Sequence, residues 1–477
     1  MIGLLALACV VLVRTFALRS RQVHVPTATE DVDASAVAGH LAAAVRFKTV
    51  SVQFAWQLDD SPFGPFHDFL RKTYPRVHAA LKREEMARFS LLYTWPGRDP
   101  SLPPVLLLAH QDVVPAEDDS AWKHGPFSGD IADGAVWGRG SCDDKGSLIA
   151  IFETVEKLLA EGFRPRRTIL LAFGHDEEIG GTHGAAAISQ LLFDRGVRPL
   201  FAIDEGGAIT QGIVPGVAKP VALVGIAEKG YVTLELKVNA AGGHSSMPPA
   251  HTAVGELAAA IARLEADPFP AHVSGVPRQM LEYLAPEMSF GRRIGIANLW
   301  LLEPVVRREM GSTPSGAATL RTTTAATMFD AGVKENVLPA EARAFVNFRI
   351  LPGETTDIVL ARVRSVIHDA NVQVSKAGSF ASEPSPVSDV NSDGFRIVQR
   401  SIAEVAPDAI VAPSLVLGGT DSRHYTNITP CVLRFVASRR VPADLPTIHG
   451  NNEKQTIENC GLMVKFYVRL LKNACGD

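Results

Sequence analysis

Residues 103–115 of the chain read PPVLLLAHQDVVP, an apolar run that ends in a histidine and an aspartate. A short run of large aliphatic residues ended by polar ones is typical of a buried strand whose carboxyl end carries function. The same pattern recurs in RTILLAFGHDEEIGG (167–181) and in PLFAIDEGG (199–207). Between these runs, residues 147–163 and 185–196 have apolar side chains at helical spacing. This alternation predicts an α/β fold with a mostly parallel sheet flanked by helices.

Acidic and imidazole side chains follow each predicted strand, at the edge of the sheet where ligands bind in such folds. The candidates are His110, Asp112, Asp143, Asp144, Glu177, Glu178, Asp204, Glu205 and, far down the chain, His449. Carboxylates a few ångströms apart disfavour joint ionisation unless cations neutralise them. Two imidazoles and several carboxylates without usable thiolates suit zinc, cobalt or manganese. The sequence therefore predicts a metal centre that holds more than one ion.

The composition is that of a globular protein with a sizeable core, since 46% of the 477 residues are hydrophobic and 21% are charged. This length predicts roughly two or three structural units, or one large α/β domain with an insertion. The chain has 47 Lys and Arg residues and 51 Asp and Glu residues, which gives a net charge of -4. Because it also has no basic tract, nucleic acid is excluded as a partner. The five cysteines form no C-x-x-C pair, which argues against a disulfide framework and a thiolate zinc finger.

The middle of the chain predicts a second domain. Residues 231–240 and 342–351 alternate apolar and polar side chains, as strands with one solvated face do, and a helical pattern follows each. We therefore predict an inserted α+β lid or dimerisation domain at 223–380, and a catalytic domain made of residues 37–222 and 381–477. Residues 277–310, rich in Leu, Met and aromatic side chains, serve either plain packing or a pocket for an apolar substrate.

The N-terminus, MIGLLALACVVLV, is apolar and is followed by Arg14, Arg19 and Arg21. The run is shorter than the roughly 20 residues that span a bilayer, but it has the length of a signal-peptide core. We therefore predict that residues 1–25 form a targeting segment or membrane anchor, so that the protein is membrane-anchored or exported. The alternative is a helix buried in the main domain.

Seven segments, in chain order, carry a resemblance to a known family: HQDVVP, GRGSCDDKG, HDEEIGG, DEGG, GGHSSMPP, GGTDSRHY and IHGNNEK. Together they resemble the co-catalytic di-zinc metallopeptidases and amidohydrolases, a family that includes carboxypeptidase G, aminoacylase and succinyl-diaminopimelate desuccinylase. HQDVVP, IHGNNEK and the long insertion are most similar to its branch of carboxypeptidase S and N-fatty-acyl-amino-acid synthase/hydrolase. The segments extend from His110 to beyond His449, so the resemblance covers most of the chain.

The resemblance implies two zinc ions, with cobalt or manganese as alternatives, and a role for each candidate residue. Asp143 would bridge both ions, His110 and Asp204 would complete one site, and Glu178 and His449 would complete the other. Asp112 would orient His110, because the second nitrogen of a ligand imidazole needs a fixed partner. Glu177 would be the general base for a metal-bridging hydroxide that attacks an amide carbonyl.

In the same family His244 resembles a residue that stabilises the oxyanion, sometimes from a partner subunit, so a homodimer is an expectation here. The alternative is that His244 is simply a histidine in a turn. The implied contacts to the substrate are Asn336, Arg349, Gly418, Gly419 and Arg423, of which the arginines would bind a carboxylate. Arg349 could instead be a strand arginine paired with an acid.

The implied activity is hydrolysis of an amide bond next to a free carboxylate. The enzyme would be either a carboxypeptidase on small peptides or a hydrolase of N-acyl amino acids. The alternatives are an N-fatty-acyl amino acid synthase/hydrolase that runs in both directions and, from another class, a non-catalytic binding module. No G-x-S-x-G segment supports a serine hydrolase. The apolar segments would favour lipid-like or exported substrates and contact with a membrane through the N-terminus.

Overall fold

The structure, a computed structural model, describes residues 1–52, 59–116, 118–378 and 380–476. Its strands are β1 Lys82–Met86, β2 Ser90–Trp95, β3 Val105–His110, β4 Asp130–Ala132, β5 Ala135–Trp137, β6 Ile169–Gly174, β7 Phe201–Asp204, β8 Ile209–Thr210, β9 Val221–Glu228, β10 Gly230–Asn239, β11 Gly243–His244, β12 Thr323–Ala331, β13 Val337–Leu338, β14 Glu341–Ile350, β15 Val372–Lys376, β16 Ile410–Val416, β17 Val432–Arg434, β18 Arg439–Arg440 and β19 Lys454–Thr456. Its helices are α1 Ile2–Ala17, α2 Ala34–Val45, α3 Phe63–Thr73, α4 Pro75–Ala80, α5 Lys145–Ala160, α6 Ala185–Asp194, α7 Ala253–Ala266, α8 Gly275–Leu284, α9 Phe290–Ala297, α10 Leu299–Met310, α11 Pro314–Leu320, α12 Thr356–Ile367, α13 Asp393–Val405 and α14 Ile457–Cys475.

The larger sheet has ten strands in the order β1-β2-β6-β3-β7-β17-β9-β8-β18, with β16 paired to β9. Its centre is parallel, because β3 pairs in parallel with β6 and β7, and β7 pairs in parallel with β17. The carboxyl ends of β3, β6 and β7 therefore meet at one edge, with His110 in register with Gly174. This arrangement confirms the predicted α/β fold with a mostly parallel sheet flanked by helices.

Strand β3 shows why residues 105–109 are apolar at every position. Alternate side chains of a strand point to opposite faces. Val105 and Leu107 pack into one core with α2, α5 and α14, whereas Leu106 and Leu108 pack into another core with α6. All the residues of the strand are buried, because helices cover both faces of the sheet.

A second sheet has the order β12-β14-β10-β15 and is antiparallel throughout. Side chains along β10 alternate between buried and half-buried, and the buried ones pack under α7 and α12. The strands and helices predicted between 231 and 370 are therefore present. Strand β9 belongs to the larger sheet, so the predicted boundary at 223 falls inside that strand. The division into domains stays a prediction.

The N-terminal segment 1–25 contains helix α1, which packs on α9. The side-chain amide of Asn298 donates to the Val11 carbonyl and the Thr15 hydroxyl at 3.2 Å each, and Arg293 Nε donates to the Thr15 carbonyl at 3.0 Å. With 16 residues, α1 is about 24 Å long, which is less than the roughly 30 Å of a bilayer core.

Within the described part of the chain, no helix combines the length and the apolar character needed to cross a membrane. The prediction that the N-terminal segment anchors the protein in a membrane is therefore wrong. A run of this length looked like a targeting signal. In the structure it forms a helix in which Thr15 alone is buried, so it is not the helix buried in the main domain that the alternative interpretation expected.

Candidate active site

The end of β3 places His110 and Asp112 in the interior, where both side chains are almost fully buried. His110 Nδ1 lies 2.9 Å from the backbone oxygen of Asp112 and 3.4 Å from its Oδ1. The other ring nitrogen, Nε2, lies 3.0 Å from Asp143 Oδ1 and 3.4 Å from Glu205 Oε1. One edge of the imidazole is therefore fixed by Asp112, while the other faces a group of carboxylates.

Asp112 also fixes the turn after β6, which carries Glu177 and Glu178. Its Oδ1 accepts the backbone N–H of Glu177 and its Oδ2 that of Glu178, at 3.1 Å each. Ser51 donates its hydroxyl to Oδ2 as well. The sequence predicted that Asp112 orients His110. In the structure the same carboxylate also positions the backbone of the two glutamates.

Asp143 lies between the two histidines. Its Oδ1 is next to His110, and its Oδ2 lies 2.9 Å from His449 Nε2, which is also 3.3 Å from Glu178 Oε2. Three groups of potential ligand atoms each fall within 4.8 Å: His110, Asp143 and Glu205; His110, Glu177 and Glu178; Asp143, Glu178 and His449. The first and third groups share Asp143, as a bridging carboxylate would.

A buried ion pair, Arg139 with Glu453, joins the loops that carry Asp143 and His449. Glu453 Oε2 lies 2.7 Å from Arg139 Nη1, and its Oε1 accepts the backbone N–H of Cys142 at 2.8 Å and that of Asp143 at 3.1 Å. Arg139 Nη2 donates to the backbone oxygen of His449 at 3.1 Å. His449 has a φ of 59°, an unusual conformation for a residue with a side chain, and this contact helps to hold it. We call this pair the loop clamp.

The carboxylates of the cluster fit a cationic group. Glu178 Oε1 is buried and has no hydrogen-bond partner among the described residues, and neither oxygen of Asp144 has one. A buried carboxylate without a partner is costly. Burial and the neighbouring acids raise the pKa of Glu177 and of Glu205 well above their usual range. Because the donors are imidazole and carboxylate, the cluster suits borderline hard divalent ions.

The two acids at the end of β7 differ in position. Glu205 faces His110, whereas one oxygen of Asp204 accepts the backbone N–H of Ser422 at 2.8 Å. Asp204 is buried beside the cluster, and burial raises its pKa to about 6, but it belongs to none of the three groups. Its role as a ligand stays a prediction, and Glu205 is a second candidate for the same place.

The two predicted arginines lie together beside the cluster. The guanidinium of Arg349 lies 4.8 Å from the ring centre of Tyr231, and that of Arg423 lies 5.5 Å from the ring centre of Phe380. Arg423 Nη2 donates at 2.8 Å to the backbone oxygen of Gly180, close after Glu177 and Glu178. Burial, together with the charge of Arg423, lowers the pKa of Arg349. Among the described residues no carboxylate pairs with Arg349, contrary to the alternative of a paired strand arginine.

The remaining predicted contacts fall into two places. Gly418 and Gly419 are half-buried in the loop after β16, directly before Thr420, which donates its N–H and hydroxyl to Glu228. His244 lies in the two-stranded antiparallel sheet of β11 and β13, Asn336 directly precedes β13, and both residues are exposed. His244 Nδ1 accepts the backbone N–H of Ser246 at 3.1 Å. None of the three ligand groups includes His244, so the chain by itself does not place this residue in the cluster.

Sequence reasoning assigned no role to Glu453 or Arg139, although both lie inside the quoted segments. The available signal was that an arginine and an acid lie close in the sequence to predicted ligand residues. The contact itself joins positions at opposite ends of the chain, which a single sequence does not reveal.

Comparison with known proteins agrees with this geometry. Residues 106–473 match the model of peptidase family M20/M25/M40. The chain is 44% identical to a probable carboxypeptidase S-like 2 of Dictyostelium discoideum over 92% of this chain and 85% of that protein. It is 40% identical to the N-fatty-acyl-amino acid synthase/hydrolase PM20D1 of Xenopus tropicalis over 100% of this chain and 94% of that protein.

Among solved structures, the fold is similar to that of an M20 family metallo-carboxypeptidase, Sso-CP2 from Sulfolobus solfataricus. The TM-score is 0.67 at 17% identity, over 93% of this chain and 99% of that one. The chain belongs to peptidase family M20/M25/M40, and it is a hydrolase of this metal-dependent family.

The loop clamp generates the first prediction. In Glu453→Gln, a side-chain NH₂ faces the donors of Arg139 and Gly140, so the loops of Asp143 and His449 lose their common anchor. We expect zinc affinity, measured by competition with a chromophoric chelator, to fall roughly 10- to 100-fold. The melting temperature should fall too.

The control is Glu404→Gln, which removes a buried carboxylate that pairs with Arg400 and Arg469 away from the cluster. This variant should lower the melting temperature and keep the zinc affinity of the unaltered protein. If Glu453→Gln bound zinc as tightly as the control, the clamp would have no role in positioning the ligands.

Proposed function

We propose that the protein hydrolyses an amide bond next to a free carboxylate, in small peptides or N-acyl amino acids. The observation that carries this proposal is the position of Glu177. It is a half-buried carboxylate with a raised pKa, grouped with His110 and Glu178 in a cluster suited to metal ions. A non-catalytic binding module would need no such unpaired acid beside its ligands.

We propose that the cluster binds two zinc ions, with cobalt or manganese as alternatives. One would take His110, Asp143 and an acid from the end of β7, which is Asp204 by the resemblance and Glu205 by proximity. The other would take Asp143, Glu178 and His449. Bound zinc supplies a Lewis acid for the carbonyl oxygen and brings the pKa of water close to neutrality.

The residues of the chain then have separate tasks in the reaction. Glu177 accepts a proton from the attacking water and returns it to the nitrogen of the leaving amine. Asp112 holds the backbone of Glu177 and the ring of His110, so the proposed base and a proposed metal ligand keep a fixed position relative to each other. Since a positioned base contributes roughly 10²- to 10⁴-fold to the rate, most of the turnover depends on Glu177.

The second prediction concerns this base. Glu177→Gln keeps the shape of the side chain but removes its ability to accept a proton. We expect kcat to fall by roughly 10² to 10⁴, followed as release of free amino acid by mass spectrometry. Zinc content, measured on the same preparation by atomic emission, should not change.

Glu178→Gln is the matched comparison, because it alters the neighbouring carboxylate that is proposed as a ligand. It should lower the zinc content, and added zinc should restore part of its activity. An active Glu177→Gln enzyme would refute the assignment of the base.

We propose that Arg349, with Arg423 close by, binds the free carboxylate of the substrate. Arg423 contacts the turn that follows Glu177 and Glu178, and Arg349, whose pKa the charge of Arg423 lowers, has no acidic partner among the described residues, which supports a carboxylate site here. Guanidinium binds carboxylate through paired hydrogen bonds.

The third prediction tests this contact. Arg349→Ala should raise KM roughly 10- to 100-fold for a substrate with a free carboxylate, because a charge-assisted hydrogen bond is lost. The same substrate as a carboxamide should bind both enzymes equally poorly. Arg343→Ala is the control, since Arg343 lies on the same strand but pairs with Asp330 and Glu341 at the surface. Equal effects of both variants would argue against carboxylate binding by Arg349.

We propose that a homodimer supplies His244. This residue is exposed on strand β11, and strand β12 at the edge of the second sheet exposes Met328 and Phe329. An unpaired apolar edge strand favours pairing with another chain. In a dimer, His244 of one subunit could donate a hydrogen bond to the oxyanion formed in the other.

A further inference from the structure

A second buried ion pair, Glu228 with Arg434, lies at the carboxyl end of the larger sheet, and the reaction described above gives it no role. Glu228 is the last residue of β9 and Arg434 the last of β17. Arg434 Nε donates to Glu228 Oε2 at 3.1 Å, and both side chains are almost fully buried. In the pairing of β17 with β7, Arg434 is in register with Asp204. The pair is therefore next to one of the two acids considered, beside His110, for the first metal ion.

Hydrogen bonds lead from this pair to the side chain of Asp204. Glu228 Oε2 accepts the backbone N–H of Thr420 at 3.2 Å and its hydroxyl at 3.0 Å. The hydroxyl oxygen of Thr420 lies 2.6 Å from that of Ser422, whose backbone N–H donates to Asp204 Oδ2 at 2.8 Å. One continuous series of contacts thus joins the guanidinium of Arg434 to the carboxylate of Asp204.

Packing places the same residues against the turn that follows Asp204. Gly206 has a φ of 109°, and a Cβ placed there would lie 3.4 Å from Arg434 Cβ and 3.4 Å from Thr420 Cγ2. The backbone of Asp204 is fixed by its pairing with β17. Strand pairing does not fix the side chain, which instead accepts the hydrogen bond from Ser422.

Glu228 itself has a fixed backbone. Its N–H donates to Ser385 Oγ at 2.9 Å, and its backbone oxygen accepts the N–H of Ser385 at 3.1 Å. Glu228 is also the point where the chain leaves the larger sheet, since β10 of the second sheet begins at Gly230. A carboxylate that is held at its backbone and by an arginine is a rigid support for the groups that it binds.

The alternative is that the pair only stabilises the sheet. A buried ion pair often stabilises a fold no more than apolar side chains of the same size do. Here Glu228 Oε1 and Arg434 Nη2 are also buried without a hydrogen-bond partner among the described residues, which adds to the cost. The pair is therefore poorly suited to stability alone, and this favours a role in positioning.

We propose that Glu228 and Arg434 form a positioning pair that holds Asp204 in place as a ligand of the first metal ion. The pair acts through the hydrogen bonds of Thr420 and Ser422. This proposal rests on the proposed function and on Asp204 as a ligand. Residues that orient metal ligands typically change metal affinity 10- to 100-fold. The loop clamp has the corresponding task at the other metal site.

The test measures metal binding by the full chain. Glu228→Gln removes the charge that binds Arg434 and Thr420, whereas Thr420→Val removes the hydroxyl that reaches Ser422 but keeps the ion pair. We expect each variant to lower the zinc affinity of one of the two sites roughly 10- to 100-fold, measured by competition with a chromophoric chelator. In the cobalt-loaded protein, each should shift the visible absorption bands of the metal, which report its ligands.

The two variants break the same series of contacts. Combined in one protein, they should therefore lower zinc affinity no further than the stronger single variant does. Glu404→Gln is again the matched control, because it alters a buried carboxylate whose arginine partners lie away from the cluster. It should lower the melting temperature and leave the zinc affinity and the cobalt bands unchanged.

The outcomes keep the two proposals separate. Weaker zinc binding and shifted cobalt bands in both variants, without additivity in the combined one, support the positioning role; if Glu228→Gln does not fold, Thr420→Val decides. Unchanged zinc affinity in either folded variant, additive losses, or equal losses in Glu404→Gln overturn it and leave the proposed hydrolysis standing. Absence of amino acid release from an unaltered protein that binds zinc overturns the hydrolysis alone. A protein that binds neither metal overturns both.

Discussion

The buried carboxylate of Glu453 holds together two loops that are about 310 residues apart in the chain. One oxygen accepts the backbone N–H of Asp143, and the other binds Arg139, which in turn holds the carbonyl of His449. Asp143 and His449 are proposed ligands of the second metal site, and both lie outside the βα units. The positions of both depend on this contact. Removing one partner of such a buried pair leaves an uncompensated charge, which typically costs about 3–5 kcal/mol. The shape of the site is therefore tied to the stability of the fold.

The cluster brings more negative charge into the interior than the protein alone neutralises. Burial raises the pKa of Glu177, Glu178 and Glu205, whereas hydrogen bonds to the two histidines lower the pKa of Asp143 despite its burial. Carboxylates in such surroundings disfavour folding unless cations join them. Metal binding thus explains why acids meet at the ends of β3, β6 and β7, and binding of the ions should also stabilise the folded chain.

Strand periodicity was sufficient to predict the centre of the sheet and part of the candidate site. An apolar run covered on both faces identified β3, β6 and β7, and their carboxyl ends located His110, Glu177 and Glu178. Asp204 and Glu205 are consecutive residues, so their side chains point to opposite faces. Periodicity alone did not show which of the two side chains faces the metal cluster. Hydrophobicity also misled at residues 1–25, where the apolar run forms a helix of 16 residues that is too short to cross a membrane. The clamp of Arg139 and Glu453 is a contact between distant segments, which no local pattern contains.

We propose that two metal ions share Asp143. The most direct measurement is anomalous X-ray scattering at the zinc edge from crystals of the zinc-loaded protein. We expect two peaks for each chain, one beside His110 with an acid of β7 and one beside Glu178 and His449, with Asp143 between them. The first peak would also decide between Asp204 and Glu205 as its ligand. A single peak, or two peaks without Asp143 between them, would show that two ions do not share this carboxylate.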